Sequence, residues 1–309
     1  MLYAILITII VFQFAVVAWL LLNKKQTSVK AFAASSNTPQ SVSKFYNQTT
    51  DKFIAVYGEI IQAFRTNDVS DYLNYTVASM QLKSGMTAID AGCGVCGPAC
   101  HFATTVSDVK INAITVSEVQ AQKSKEKIVE RNLQSQVNVS VGDYHKLDEI
   151  FEKESTDRVY FLESFGHSND KKKVINTVYN VLKPGGKMYI KDLFLRESEN
   201  EWEQHRINAI AEQINTAYEY QIADLHEVVS AIRQKGFLVE FIRPPQVERD
   251  KFEHLTISND FQNLFNIGKI ESWDDYVFPI DFYEILAEKP VYNTAEDMHL
   301  YFMNKKNQS

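Results

Sequence analysis

Two hydrophobic periods alternate along the chain after residue 82. Short apolar runs of strand type are followed by longer stretches in which apolar residues recur at helical spacing. Strands that alternate with helices in this way are typical of an α/β fold with a mainly parallel sheet. The predicted strands are 87–91, 111–115, 137–141, 158–162, 187–195, 237–243 and 282–288.

The first 22 residues contain no charged residue, and only Thr8 and Gln13 among them are clearly polar. A helix of this length, at about 1.5 Å per residue, is long enough to cross a hydrocarbon core of about 30 Å. A cleaved signal peptide with its processing site at 31–33 is the alternative, but no positive segment precedes the run. We therefore predict one N-terminal transmembrane helix at 1–22. Because lysines follow it at 24, 25 and 30, the following domain is predicted to be cytoplasmic.

Three segments outside the strands are predicted to form helical or aromatic caps on the domain 41–290. Segment 41–82 has apolar and aromatic residues at helical spacing, and 196–220 is charged and helical. Segment 244–280 is rich in aromatic residues, which favours either a cover over an apolar ligand or core packing. Residues 23–40 are predicted to be a polar linker and 291–309 a polar tail.

Composition excludes some functions. The net charge of -7 and the pI near 5.6 provide no broad basic surface, so nucleic acid is not expected as a partner. The only three cysteines, Cys93, Cys96 and Cys100, are spaced C-x2-C-x3-C. This spacing permits a metal-cluster interpretation, but three thiols fall short of the usual four, so we favour packing and predict no metal.

A glycine-rich turn follows the first predicted strand. Gly92, Gly94 and Gly97 have the G-x-G-x-x-G spacing of a turn that brings backbone N–H groups close to a nucleotide-like ligand. Asp90 lies at the strand end, two residues before the first glycine, where a carboxylate can bind a ligand ammonium but would repel a pyrophosphate. The turn therefore favours S-adenosylmethionine as the ligand.

The string from Asp90 to Pro98 resembles the first motif of class I methyltransferases that use S-adenosylmethionine. It is particularly similar to that of sterol C24-methyltransferases and of their relatives that C-methylate prenyl diphosphates. The resemblance covers about 41–290 and implies a Rossmann-like seven-stranded α/β sheet with helical caps. It adds Cys93, between the first two glycines, to the cofactor-binding residues.

The resemblance also implies which residues bind the rest of the cofactor. The run from Thr115 to Gln120 looks like the T-x-S-x-x-Q variant of lipid-acting members, in which the threonine and the glutamine serve the ribose hydroxyls. Asp143 falls where the family places the acceptor for the adenine amino group, and Tyr144 is expected to cover the ring. A turn-stabilising role for Asp143 remains the alternative.

The fourth predicted strand ends at Glu163, and open α/β sheets place their chemistry at such carboxyl ends. Glu163 matches the glutamate that removes a proton after methyl transfer in the C-methylating families, and His167 falls where sterol enzymes also have a histidine. The resemblance adds Tyr46 and Tyr57 as pocket residues, and we expect Phe165 to line the same pocket.

We therefore expect a methyltransferase that transfers the S-adenosylmethionine methyl group to carbon of an isoprenoid, either a sterol-like lipid or a prenyl diphosphate. Glu163 would accept the proton, and Mg²⁺ would be needed only if the substrate is a diphosphate. Two alternatives stay open: O- or N-methylation of a small amphiphile with His167 or His145 as base, and a non-catalytic cofactor-binding membrane scaffold. Homo-oligomerisation is also left open.

Overall fold

A mixed seven-stranded sheet forms the centre of the computed structural model, which describes residues 37–64, 66, 68–248 and 277–292. The sheet order is β3-β2-β1-β4-β5-β7-β6; β1 to β5 run parallel, and β7 is antiparallel to both of its neighbours. The strands are β1 Thr87–Ala91, β2 Lys110–Thr115, β3 Val137–Val141, β4 Thr156–Leu162, β5 Leu182–Leu195, β6 Leu238–Arg243 and β7 Ile280–Glu288. The predicted α/β sheet of seven strands is thus confirmed.

Helices flank the sheet and cover the carboxyl ends of its parallel strands. They are α1 Pro39–Tyr57, α2 Val69–Ser79, α3 Gly97–Thr105, α4 Glu118–Glu130, α5 Leu147–Ile150, α6 Lys171–Val181, α7 Glu201–Tyr218 and α8 Leu225–Lys235. Two 3-10 turns, Tyr144–Lys146 and Phe165–His167, follow β3 and β4. As the periodicity of the predicted caps indicates, α1 and α2 lie within 41–82 apart from the first residues of α1, and α7 lies within 196–220.

Local sequence explains where α1 begins. Thr38 is its N-cap, with reciprocal hydrogen bonds to Ser41, and Pro39 occupies the first helical turn, where its missing N–H costs nothing. The strand β5 begins five residues before its predicted start, because Leu182 already pairs with Thr156 of β4 across an irregular register. Pro184, Gly185 and Gly186, which are residue types typical of a turn, are included in the strand.

The sheet buries apolar side chains on both of its faces. Tyr160 of β4 packs with Phe102 of α3 on one face, whereas Phe161 packs with Phe165 on the other. Phe165 is only 1 % exposed. The expectation that it lines the substrate pocket therefore needs correction, because the turn after β4 directs its ring into the core.

Several predicted segments fall on residues outside the described ranges. They are the anchor 1–22, most of the linker 23–40, most of the 244–280 cap and nearly all of the 291–309 tail. Within the described ranges, no helix has both the length and the apolar character needed to cross a bilayer. The anchor therefore stays a prediction.

Candidate functional site

A cleft of about 840 Å³, open to solvent, lies at the carboxyl ends of β1, β2 and β4. β1 lies between β2 and β4, so the order of the strands reverses at β1. Open α/β sheets bind ligands at such a topological switch point. Of the residues predicted from the sequence, those lining the cleft are Tyr46, Asp90, Gly92, Cys93, Gly94, Thr115, Gln120, Asp143, Tyr144, Glu163 and His167.

Three predicted residues do not line this cleft. Tyr57 is at the end of α1 and stacks on Phe53, and Phe165 belongs to the core. Gly97 lies at the start of α3, where a Cβ atom would stand 2.3 Å from the carbonyl oxygen of Glu59. That glycine allows the chain after α1 to cross the helix, so its role is close packing and not ligand contact.

The glycine turn is shaped by backbone requirements. Gly92 has φ +86°, and a Cβ there would lie 2.5 Å from the Cβ of Ser164. Its N–H and that of Cys93 both donate to the carbonyl oxygen of Ile114 at 2.9 Å. Only glycine permits this close approach between the β1 turn and the residues after β4.

Asp90 provides a test of whether the residues fit the predicted cofactor. It is 2 % exposed, and its Oδ2 has no hydrogen-bond partner within the described ranges. Burial raises the pKa of Asp90 to about 7, against a smaller lowering by the Tyr160 hydroxyl. A buried carboxylate oxygen that lacks a donor and faces the cleft suits a ligand ammonium. The residues therefore fit the amino-acid end of S-adenosylmethionine.

Thr115 and Gln120 interact directly at the end of β2. The Thr115 hydroxyl lies 2.7 Å from the Gln120 Oε1 and donates to it, and both residues are buried. Ser117 between them is the N-cap of α4 and accepts from the Gln120 N–H. The T-x-S-x-x-Q string therefore builds a helix start at the cleft, and the Gln120 amide nitrogen is the group that can donate to a ribose hydroxyl.

Asp143 is oriented by a chain of hydrogen bonds that sequence reasoning missed. Its Oδ1 accepts from the His145 backbone N–H at 2.9 Å and from Nδ1 at 2.6 Å, while Nε2 lies 2.8 Å from the Ser168 hydroxyl. Ser168 also accepts from the Asp170 N–H at 3.1 Å. Partial burial alone would raise the pKa of Asp143, but the hydrogen bonds from His145 hold it below its ordinary value.

This Asp–His–Ser order resembles that of serine hydrolases, but Ser168 is 0 % exposed and cannot reach a substrate. The arrangement instead commits Oδ1 of Asp143 and leaves Oδ2 to accept from an adenine amino group. Tyr144 beside it donates from its hydroxyl to the Ser164 carbonyl oxygen at 3.0 Å, which fixes the ring next to the glycine turn.

Glu163 lines the cleft, but its carboxylate is not free. The residue adopts a left-handed backbone conformation, with φ 56°, directly after β4. Oε2 accepts from the Ala63 N–H at 2.5 Å, and Oε1 accepts from the Phe64 N–H at 3.1 Å and from the Lys191 ammonium. Its side chain is 5 % exposed. The glutamate thus also anchors the loop that follows α1.

Lys191 is the second residue that sequence reasoning missed. It lies on β5 and is 1 % exposed, with its ammonium over the rings of Phe64, Tyr72 and Phe282 at 4.5 to 5.4 Å. Burial alone would lower the pKa of Lys191, but the Glu163 carboxylate raises it above its ordinary value. The available signal was a lysine between the apolar runs 188–190 and 193–195 of β5, since a charge buried there must be paired.

His167 forms a hydrogen-bonded pair with Tyr46 on α1. Nδ1 lies 2.8 Å from the Glu219 carbonyl oxygen, which can only accept, so Nδ1 carries the proton. Burial lowers the pKa of His167 to about 4, and the neutral ring therefore accepts at Nε2 from the Tyr46 hydroxyl at 2.8 Å. Burial also raises the pKa of Tyr46 well above its ordinary value.

A buried carboxylate supports this pair from behind. Asp192 accepts from the Tyr220 hydroxyl and from the Gly166 N–H, and the Tyr220 ring lies edge-on to His167 at 4.5 Å. Burial raises the pKa of Asp192 to about 6, against the lowering by the Tyr220 hydrogen bond. Tyr220 therefore fixes the position of the His167 ring.

Known proteins resemble this chain in sequence. Residues 48–264 match the mycolic acid cyclopropane synthetase family. A sterol 24-C-methyltransferase of Debaryomyces hansenii is 27 % identical over 213 residues, which are 64 % of this chain and 53 % of that protein. The chain thus spans about half the length of this curated relative.

Solved structures show the same fold at lower identity. The [4+2]-cyclase SpnF superposes with a TM-score of 0.67 and 20 % identity, over 82 % of this chain and 97 % of that one. The geranyl diphosphate C-methyltransferase of Streptomyces coelicolor, solved with Mg²⁺, geranyl diphosphate and S-adenosyl-L-homocysteine, gives a TM-score of 0.58 and 15 % identity, over 84 % and 98 %. At this identity the likeness extends to the fold alone.

Proposed function

The chain belongs to the mycolic acid cyclopropane synthetase family, and from this premise we propose that it is an S-adenosylmethionine-dependent methyltransferase that methylates carbon of a neutral isoprenoid lipid. The observation that carries the proposal is Glu163, a buried carboxylate at the cleft wall directly after β4. The similarity to sterol 24-C-methyltransferases supports the choice of acceptor.

The cofactor would lie across the glycine turn. Asp90 would accept from its ammonium, Gln120 would donate to the ribose, and Asp143 would accept from the adenine amino group. Bound there, the cofactor supplies an electrophilic methyl group on a sulfonium. The residues of this chain align the two reactants and exclude water, which is the main catalytic contribution expected for an in-line displacement.

The charge of the cleft distinguishes between the two isoprenoid classes. Its lining carries the carboxylates of Glu59, Asp90, Asp143 and Glu163, and within the described ranges it contains no lysine or arginine. Glu59 and Glu163 are paired with cations that lie outside the lining, so a diphosphate would meet carboxylates and no lysine or arginine of the lining itself. This favours a neutral alkene lipid over a prenyl diphosphate as the acceptor, and Mg²⁺ would be required only for the latter.

Attack of an alkene on the methyl carbon would leave a carbocation, which must be shielded from water and must lose a proton. The Tyr46 ring, fixed by His167, provides an aromatic face for the cation. Glu163 would take the proton at Oε2, which has the Ala63 N–H as its single donor within the described ranges. Proton loss then forms the new double bond.

The test uses the full chain with methyl-labelled S-adenosylmethionine and separate pools of sterols, prenyl diphosphates and amines, read by mass spectrometry. Label on carbon of a sterol-like lipid is the expected result. Glu163→Gln is expected to lower C-methylation by roughly 10²-fold or more, whereas the exposed Glu149→Gln should not change it. Full activity of Glu163→Gln would refute its role as proton acceptor.

A second candidate is O- or N-methylation of a small amphiphile. The observation that favours it is the neutral His167 with Nε2 facing the Tyr46 hydroxyl at the cleft. Label on oxygen or nitrogen, with only a modest loss in Glu163→Gln, would support this candidate. The non-catalytic scaffold remains the outcome if cofactor binds without label transfer to any pool.

We also propose that residues 1–22 anchor the enzyme in a membrane with the catalytic domain 41–290 on the cytoplasmic side. The uncharged apolar run and the three lysines after it support this. An anchored enzyme could take an apolar acceptor directly from the bilayer. Fractionation of the full chain, compared with a variant carrying Ile9→Lys and Val16→Lys, tests the anchor.

A further inference from the structure

We propose that Lys191 is a positioning residue that holds the Glu163 carboxylate against the cover loop, residues 58–64, and that transfer of the substrate proton to Glu163 releases this loop after methyl transfer. The proposal rests on the proposed function. The Glu163 carboxylate thus alternates during turnover between two roles, attachment of the cover loop and acceptance of the proton. Lys191 determines which of the two is active.

The cover loop makes polar contacts with the sheet through Glu163 and Lys191, and Ile60 and Phe64 of the loop pack in the core. The Ala63 and Phe64 N–H groups donate to opposite oxygens of its carboxylate, and Gln62 accepts from Lys191 at 3.3 Å. These groups are about a hundred residues apart in sequence, so the contacts depend on the packing of the loop against β4 and β5. Ile61 and Gln62 of the same loop line the cleft. Closure of the loop over bound ligands therefore depends on the charge of Glu163.

Lys191 has no contact with the cleft and acts only through its neighbours. Its ammonium forms an ion pair with Glu163 and faces the ring of Phe64, which belongs to the cover loop. The Gln62 side chain, which Lys191 contacts, also accepts from Tyr72 at 2.5 Å. A charge in such a site is stable only while its partner remains charged, because desolvation would otherwise dominate.

The chemistry of the reaction changes that charge. The methyl carbon–sulfur bond breaks as the alkene electrons form the new carbon–carbon bond, which leaves a cation on the acceptor. A C–H bond next to the cation then breaks, its electrons form the new double bond, and the proton moves to Oε2 of Glu163. The neutral carboxyl can no longer pair with Lys191, and it is a weaker acceptor for the two loop N–H groups.

The other end of the cover loop does not depend on Glu163. Glu59 pairs with Lys127 at 2.9 Å and with Arg131 at 2.7 Å, both on α4. Proton uptake by Glu163 would therefore release residues 61–64, while the loop stays attached near residue 59. The product then leaves through the local opening. The Glu163 carboxylate re-forms when its proton passes to water, and the next cofactor can bind.

The experiment measures amide hydrogen exchange of the segment 59–66 in the full chain without acceptor. Glu163→Gln mimics the neutral carboxyl, and exchange of this segment is expected to rise by about tenfold or more, because glutamine has one uncharged acceptor oxygen for the two loop N–H groups. Lys191→Met should produce a rise in the same direction. The double variant, which leaves no unpaired buried charge, should match Glu163→Gln and not exceed it.

Lys187→Met is the matched control. Lys187 lies on the same strand and pairs with Glu240 and Glu288, away from the cover loop, so exchange of 59–66 should stay at the wild-type rate. In turnover, Lys191→Met should lower kcat by roughly tenfold or more while the acceptor KM stays unchanged. A simple packing defect would not separate kcat from KM in this way.

Wild-type exchange of 59–66 in both Glu163→Gln and the double variant would overturn the proposal. So would a rise caused equally by Lys187→Met. Failure of the proposed function is recognised separately, because absence of label on carbon would leave these exchange results intact and remove only the link to proton transfer.

Discussion

Replacing His145 by Phe tests the proposal that Asp143 binds the adenine of the cofactor. Phenylalanine keeps a ring beside Tyr144, which the His145 ring approaches at 4.9 Å. It removes the 2.6 Å hydrogen bond to Oδ1 and the contact with Ser168, while the backbone N–H remains as a donor. Ser168 keeps the Asp170 N–H as a partner, so the change leaves no serine hydroxyl without a hydrogen bond.

The expected loss of cofactor affinity follows from the side-chain freedom that Asp143 regains. With one of its two donors lost, its side chain must be ordered when the cofactor binds, at about 0.5–1.5 kcal/mol. The dissociation constant of S-adenosylhomocysteine is therefore expected to rise about 2- to 12-fold. The pKa of Asp143 should also move up toward its ordinary value, because the hydrogen bonds from His145 now hold it down.

Calorimetric titration with two ligands shows whether the loss of affinity is specific to the adenine amino group. S-inosylhomocysteine lacks the adenine amino group, so its weaker binding should be the same in His145→Phe and in the wild type. His101→Phe is the control, since His101 bonds Asn74 on the protein surface and does not line the cleft. Equal losses for both ligands would refute the reasoning, because they would show that the change damaged the cleft as a whole and not the recognition of adenine.

Two further predictions concern the cofactor turn. Burial raises the pKa of Asp90 from 3.8 to about 7, so its stabilising contribution is present at low pH and is lost as the pH rises toward that value. Asp90→Asn should therefore raise the melting temperature of the cofactor-free protein at about pH 8, with a smaller gain at about pH 5, while cofactor affinity falls; no difference between the two pH values in a thermal scan would contradict this. Gly92→Ala should abolish cofactor binding in a calorimetric titration, because its Cβ would lie 2.5 Å from that of Ser164 at φ +86°; wild-type affinity would show that the turn can shift.

The sequence alone predicted most of the fold, and most of the residues predicted to bind the cofactor lie around one cleft. The strand 137–141 has the bounds that the structure shows, because its alternation is a local property. The glycine turn and Asp90 were identified for the same reason, since their spacing is contained within a few residues. Eleven of the predicted residues line one cleft.

The remainder depends on contacts between distant residues. Nothing local indicates that the Ala63 N–H donates to Glu163, or that Lys191 lies behind them, because these residues meet only when three elements pack together. The prediction for Phe165 failed for a related reason. Its position two residues after Glu163 indicated a pocket residue, but in the turn after β4 its ring packs into the core. Sequence position identifies the loop, whereas packing decides the direction of each side chain.

The four carboxylates of the cleft have a consequence for turnover. S-adenosylmethionine carries one net positive charge through its sulfonium, and S-adenosylhomocysteine carries none. Glu59 and Glu163 are paired with cations outside the lining, so the attraction for the charged methyl donor over the spent one would come mainly from Asp90 and Asp143. If the chain acts as proposed, product inhibition should be weak at low ionic strength and should increase as salt screens the carboxylates, because the charge lost in the reaction would favour exchange of the cofactor.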